Sequence, residues 1–243
     1  MEAKIDELGE ITSAAERISG LFRSRDLATP IAHLGEWNLR DLADHLGGVH
    51  RWAARIINER SMDGPSSAWS KLDGTDLCDW FDSGVEDLVE AFRTNPQGDP
   101  CPNFNSGSVK TVAWWSRRQM HETTVHRWDA EHALECSEPI ARDVAVDGID
   151  EYLDVFVRTR GKQTLIAPLV LTSSRPSRSW TLTPAVKPGR LDIAEGRSVD
   201  VVDELAGEPD KLLLALWGRS TVSEAGLVVS GDPNVAASFA ESL

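Results

Sequence analysis

Apolar residues recur along the first part of the chain at intervals of three and four. Ile5, Leu8, Ile11, Ala15, Ile18 and Leu21 fall on one face of a helix over about 5–22. Leu39, Leu42, Leu46, Val49, Ala53 and Ile56 do the same over about 38–60, with Asn38 as N-cap and Asp41 placing negative charge in the first turn. The turn-rich run 62–67 predicts a loop. Leu77, Phe81, Val85, Leu88 and Phe92 share one face of a third helix, expected to start after 73–76. The Pro- and Gly-containing run 95–102 ends it and opens a long connection to a fourth helix over about 112–133. Four helices with one longer crossover predict a bundle, an architecture in which metal sites are built from side chains on facing helices.

Near residue 140 the pattern changes. A helix is expected over 143–160. Beyond it, β-branched and aromatic residues between Pro and Gly predict strands at 164–172, 179–183, 190–194, 199–202 and 227–230. Helices are expected at 208–216 and 234–243. The reading is an α+β chain, with a four-helix bundle over 1–140 and a smaller α+β domain over 141–243.

The fourth helix holds the first chemistry. Glu122 and His126 lie four residues apart, so they project from one face a turn apart, the spacing at which one helix supplies two metal ligands. Such pairs are also common on solvated surfaces. His45 sits at the edge of the apolar stripe of the second helix, facing inward, and completes a three-ligand set with Glu122 and His126. His50 lies roughly 140° further round the same helix, so it cannot join His45 in one site. Two imidazoles and a carboxylate suit zinc with an open fourth position, and also iron(II). Zn²⁺ with one carboxylate keeps a net charge of about +1, which one thiolate would neutralise.

Three neighbours each leave two readings open. Asp129 either orients the His126 imidazole from behind or pairs with an arginine on the helix surface. Arg118, four residues before Glu122, forms a surface salt bridge or meets an anionic substrate. Gly47 and Gly48, unfavourable inside a helix, admit either a thiol cofactor or a facing helix. Trp52, Trp115 and Trp128 could line a pocket, although large aromatics are core residues by default.

The run Trp37-Asn-Leu-Arg-Asp-Leu-Ala-Asp-His45-Leu-Gly-Gly-Val-His-Arg-Trp52 resembles the metal-binding N-terminal domain of the mycothiol-dependent maleylpyruvate isomerases, which belong to the DinB-like four-helix bundles. The run Arg118-x3-Glu122-x3-His126-x2-Asp129 resembles that family's second metal-binding helix. The tail, from Leu205-Ala-Gly207 through Leu213-x-Ala-Leu-Trp217-Gly-Arg219 to Phe239, is similar to its C-terminal domain, a sterol-carrier-protein-like α+β module. The resemblance implies a divalent metal, zinc before others, and mycothiol as the thiol cofactor. It implies a low-molecular-weight thiol activated as a metal-bound thiolate for attack on an electrophilic small molecule. In a maleylpyruvate-type isomerisation the thiol adds to a cis double bond, a single bond rotates, and the thiol leaves; an S-transferase stops after addition or displacement. Asp129 and Arg219 are the catalytic candidates, with Arg219 reaching a substrate carboxylate from the C-terminal domain.

Composition narrows the partners. A formal net charge of −14 repels phosphate backbones and anionic lipid, which argues against nucleic-acid and membrane-surface binding. No apolar run has the length of a membrane span, and the N-terminus lacks the features of a signal peptide. Cys78, Cys101 and Cys136 form no Cys-x-x-Cys pair, so a reduced, cytoplasmic protein is expected, with Cys101 exposed in a loop and no catalytic thiol. Two rival functions remain: a zinc hydrolase, with Asp129 or His121 as base, and a non-catalytic metal-containing binding protein.

Overall fold

The computed structural model describes residues 5–63, 76–105, 107–158, 162–175 and 177–243. The chain forms two compact units, the first ending at Glu138 and the second starting at Pro139.

The first unit is a four-helix bundle of α1 (Glu7–Ser24), α2 (Leu39–Glu59), α3 (Leu77–Thr94) and α4 (Val112–Ala133). Local sequence sets the helix starts. Asp6 accepts the Gly9 N–H, and Asp76 accepts those of Cys78 and Asp79. Asn38 and Asp41 form a reciprocal capping box at the head of α2, satisfying amides that the helix itself cannot. Helix α1 packs on α3 and α4, and α2 packs on the same two, so α2 and α4 face each other along one seam. Ile18, Phe22, Leu42, Leu46 and Phe81 are among the buried residues that fill the core.

The α2–α3 crossing settles part of the glycine question. A Cβ on Gly47 would lie 2.3 Å from the Trp80 ring, and one on Gly84 would lie 2.3 Å from Arg51. The absent side chain of Gly47 therefore admits the facing helix. Arg51 lies 4.1 Å over the Trp80 ring and clamps the crossing.

In the connection from α3 to α4, Cys101, Asn103 and Asn105 turn inward from an otherwise largely exposed run. Cys101 is 1 % exposed, which corrects the expectation of an exposed loop thiol. Its N–H donates to Lys110 O, Trp115 Nε1 donates to Pro102 O, and burial pushes the Cys101 thiol above its ordinary pKa. The loop expected at 62–67 and the helix start at 73–76 lie largely outside the described residues.

In the second unit, α5 (Arg142–Glu151) runs into a wider π-type segment over Tyr152–Val157. Five strands follow: β1 (Leu169–Ser174), β2 (Ser177–Pro184), β3 (Leu191–Glu195), β4 (Glu204–Gly207) and β5 (Val228–Ser230). Their order is β3-β2-β1-β4-β5, antiparallel except for the β1–β4 pair. Helix α6 (Pro209–Leu216) packs on α5, and α7 (Pro233–Ala240) packs on β5. Two expected strands are corrected. Residues 164–168 stay outside β1. The run 199–202 is no strand: Val199 and Val202 are 92 % and 72 % exposed, and the strand forms instead where Leu205 buries itself opposite Leu171. Among the described residues no helix is long and apolar enough to cross a membrane.

Candidate metal centre

The α2–α4 seam brings three of the sequence candidates together. One donor atom from each of His45, Glu122 and His126 lies within 4.8 Å of the other two. Glu122 Oε1 is 3.3 Å from His45 Nε2 and 3.4 Å from His126 Nε2. Charge-assisted N–H···O bonds usually measure about 2.7–2.9 Å, so both separations are long for direct pairing. They match instead the edge of a tetrahedron with bonds of about 2.0–2.1 Å, roughly 3.3 Å between ligands. The rings of His45 and His126 meet edge to face, with centroids 5.2 Å apart. The His45 side chain is 36 % exposed and that of His126 is 9 %, so the cluster opens on the α2 side.

Each donor is held from behind. Glu122 Oε2 accepts from Arg118 Nη2 at 2.7 Å, which leaves Oε1 turned toward the imidazoles. Arg118 is 3 % exposed, so this pair is buried rather than the surface bridge that spacing suggested. Burial pushes the Glu122 carboxyl up, but His126, His45 and Arg118 outweigh it and hold it well below the usual carboxylate range. His126 Nδ1 donates to Asp129 Oδ2 at 2.8 Å. Burial works against its charge, but Asp129 and Glu122 raise the His126 pKa to about 9. Asp129 is fully buried, so its surface-pair reading fails. Trp37 packs on the His45 ring at 5.0 Å.

The remaining candidates fall elsewhere. His50 turns away from the cluster and bonds Thr123 Oγ1 at 3.0 Å. Trp115 and Trp128 are buried, and Trp128 stacks on His132. Arg219 belongs to the second unit, where its guanidinium lies 5.8 Å from the Trp217 ring centroid and donates to Trp217 O. Sequence reasoning passed over His33, whose Nε2 lies 2.7 Å from Asp129 Oδ1. It sits in a short 3-10 turn (Ala32–Leu34), where no helical periodicity marks it. The one signal for it was the restriction of all six histidines to the first part of the chain.

Comparison with known proteins identifies the family and the fold. Residues 8–131 match the profile of the mycothiol maleylpyruvate isomerase N-terminal domain, and residues 143–238 match the C-terminal domain of the same family. A crystal structure of the mycothiol-dependent maleylpyruvate isomerase superposes with a TM-score of 0.63 at 13 % identity, over 95 % of this chain and 92 % of that one. A histidine-to-alanine variant of that enzyme gives 0.61 at 13 % identity, over 89 % of each chain. At such identity the likeness carries the fold alone. No curated protein sequence matches this chain closely enough to count as a relative. Because the two profiles between them span the bundle and the α+β unit, the chain belongs to the mycothiol maleylpyruvate isomerase family.

Proposed function

We propose that His45, Glu122 and His126 hold a divalent cation, zinc before others, and that the chain is an enzyme acting on a low-molecular-weight thiol and an electrophilic small molecule. The thiol is mycothiol on family grounds, and the reaction is an isomerisation or an S-transfer. The observation that carries this reading is the pair of 3.3 and 3.4 Å separations around Glu122 Oε1, with a buried partner behind both residues on α4. A cation bound there supplies a Lewis acid that lowers the pKa of a thiol entering its open position.

The chain's own residues do the rest. Asp129 accepts the hydrogen bond from His126 Nδ1, so the Nε2 edge faces the cation position. Arg118 occupies Oε2 of Glu122 and confines that ligand to one oxygen. His45, the most exposed of the three, borders the side from which small molecules arrive. A hydrolase would need a general base beside the open position. Asp129 has both oxygens engaged by imidazoles, and His121 is 1 % exposed, so neither candidate suits that task.

Metal analysis of the purified protein tests the ligand set. The unaltered chain is expected to carry about one divalent cation, and His45→Ala, Glu122→Ala and His126→Ala to lose it. Full metal content in all three variants would overturn the assignment. With cobalt(II) substituted, mycothiol is expected to produce a sulfur-to-metal charge-transfer band. Metal without that band would return the chain to the hydrolase or binding-protein reading.

A further inference from the structure

We infer that His33 is a positioning residue for the metal centre, acting on His126 through Asp129; this rests on the ligand assignment proposed above. The Asp129 carboxylate is 0 % exposed and holds an imidazole on each oxygen, His126 at 2.8 Å and His33 at 2.7 Å. An ionised carboxylate only accepts, so both imidazoles donate to it. With a cation bound, that assignment fixes two tautomers at once: His126 carries its proton on Nδ1 and keeps its Nε2 lone pair for the cation position beside Glu122, and His33 carries its proton on Nε2. With an imidazole on each oxygen, Asp129 is held in line behind the ligand. Without His33, the buried Oδ1 loses its imidazole donor and the carboxylate can turn away from His126.

The segment bearing His33 is built to hold it. The α1–α2 connection closes on itself through a bridge between Pro30 and Asn38, with Ile31 N–H donating to Trp37 O at 2.7 Å and Leu39 N–H to Thr29 O at 3.0 Å. Ile31 is fully buried beneath it. The His33 ring packs, tilted, against the stacked Trp128–His132 pair, with centroids 5.4 Å from Trp128 and 5.5 Å from His132. The same connection carries Trp37 against His45. One loop therefore supports ligands on both helices, one by packing and one through a hydrogen-bonded relay.

Three variants separate the donor from the ring. His33→Phe keeps the aromatic packing and removes the donor, His33→Gln keeps a donor with similar reach, and Asp129→Asn breaks the relay at its centre. Cobalt(II) affinity of the metal-free protein, measured by chelator competition, is expected to fall about 10- to 100-fold in His33→Phe, the range for partners that support a metal ligand. The cobalt ligand-field bands should shift with it, and His33→Gln should recover most of the affinity. Placed on Asp129→Asn, His33→Phe should cost little more, since both act along one path. Far-UV circular dichroism confirms that each variant folds, and His33→Ala replaces His33→Phe should the latter fail. Unaltered affinity and spectrum in His33→Phe, or fully additive losses in the double variant, would overturn the inference alone. Failure of the unaltered chain to bind cobalt would overturn the ligand assignment and the inference with it.

Discussion

A buried histidine is not a ligand by virtue of its burial, and His50 makes the contrast with His45. Thr123 Oγ1 gives its proton to Gln119 O at 2.8 Å, so it must accept from His50 Nε2. His50 carries its proton on Nε2 and cross-links α2 to α4, and its buried Nδ1 has no hydrogen-bond partner that would hold a second proton. Burial, only partly offset by the Glu122 carboxylate, pushes its pKa down to about 3. In the unfolded chain the same imidazole titrates near pH 6.5. The folded value lies below the unfolded one, so this contribution is fully present above pH 6.5 and is lost as pH falls toward 3. Each pH unit inside that window costs up to about 1.4 kcal/mol. Urea unfolding of the metal-free protein between pH 7 and pH 4 should thus lose stability more steeply in the unaltered chain than in His50→Phe, by a slope approaching that value. Parallel profiles would show that His50 is protonated in the fold. Geometry round the helix separated these two histidines in the sequence. The partner of His50 did not show there, because Thr123 is an ordinary helix residue until α4 is set against α2, whereas Asp129 was readable as a partner of His126 from its spacing along the same helix.

At the scale of the element, the extents of both α2 and α4 were legible, but the buried face was legible in α2 and not in α4, for physical reasons. Helix α2 has an N-cap box and a continuous apolar stripe, both local properties. Helix α4 buries Val112, Trp115, Met120, Val125 and Ala130 around its circumference, and between them Arg118, Gln119, His121, Thr123, His126, Asp129 and Glu131. No apolar face remains to read, and Asp129, Thr123 and Glu131 find their partners on other elements, in His33, His50 and Arg17. The motif, not the periodicity, located the site on it. Glycine in helices shows the same division. Gly47→Ala should gain up to about 1 kcal/mol in helix propensity, but the new Cβ at 2.3 Å from Trp80 forces overpacking worth about 1–3 kcal/mol. The expected net is a loss of stability. Gly20 in α1 has open space around it, with nothing within 4 Å of where a methyl group would sit, so Gly20→Ala should be stabilising by up to about 1 kcal/mol. Urea unfolding of the two variants side by side decides the point: equal and favourable shifts would mean that the α2–α3 crossing is looser than its geometry states.

At the scale of the whole molecule, residue patterning conveys the bundle-then-sheet order but misplaces one strand. The valines at 199 and 202 have strand propensity without anything to pack on, whereas β4 is short and wins by parallel pairing with β1, a long-range contact. The centre in the bundle depends on long-range closure too. His45 and Glu122 are 77 residues apart, with all of α3 between them. A cation bound by both closes that long loop, and it binds the folded bundle in preference to the unfolded chain. At a free concentration of 100 times its dissociation constant, it should add about 2.7 kcal/mol. For a chain of this size that corresponds to roughly 5–10 °C in the unfolding midpoint. Removing metal with a chelator should lower the midpoint by that amount, and returning zinc should restore it. His126→Ala, which lacks one ligand, should unfold at the same temperature with and without metal. Hydrogen exchange places the effect: amides of α2 and α4 along the shared seam should gain protection when zinc is added. A midpoint that ignores the chelator in the unaltered chain, or that moves equally in His126→Ala, would mean that the seam does not hold the cation.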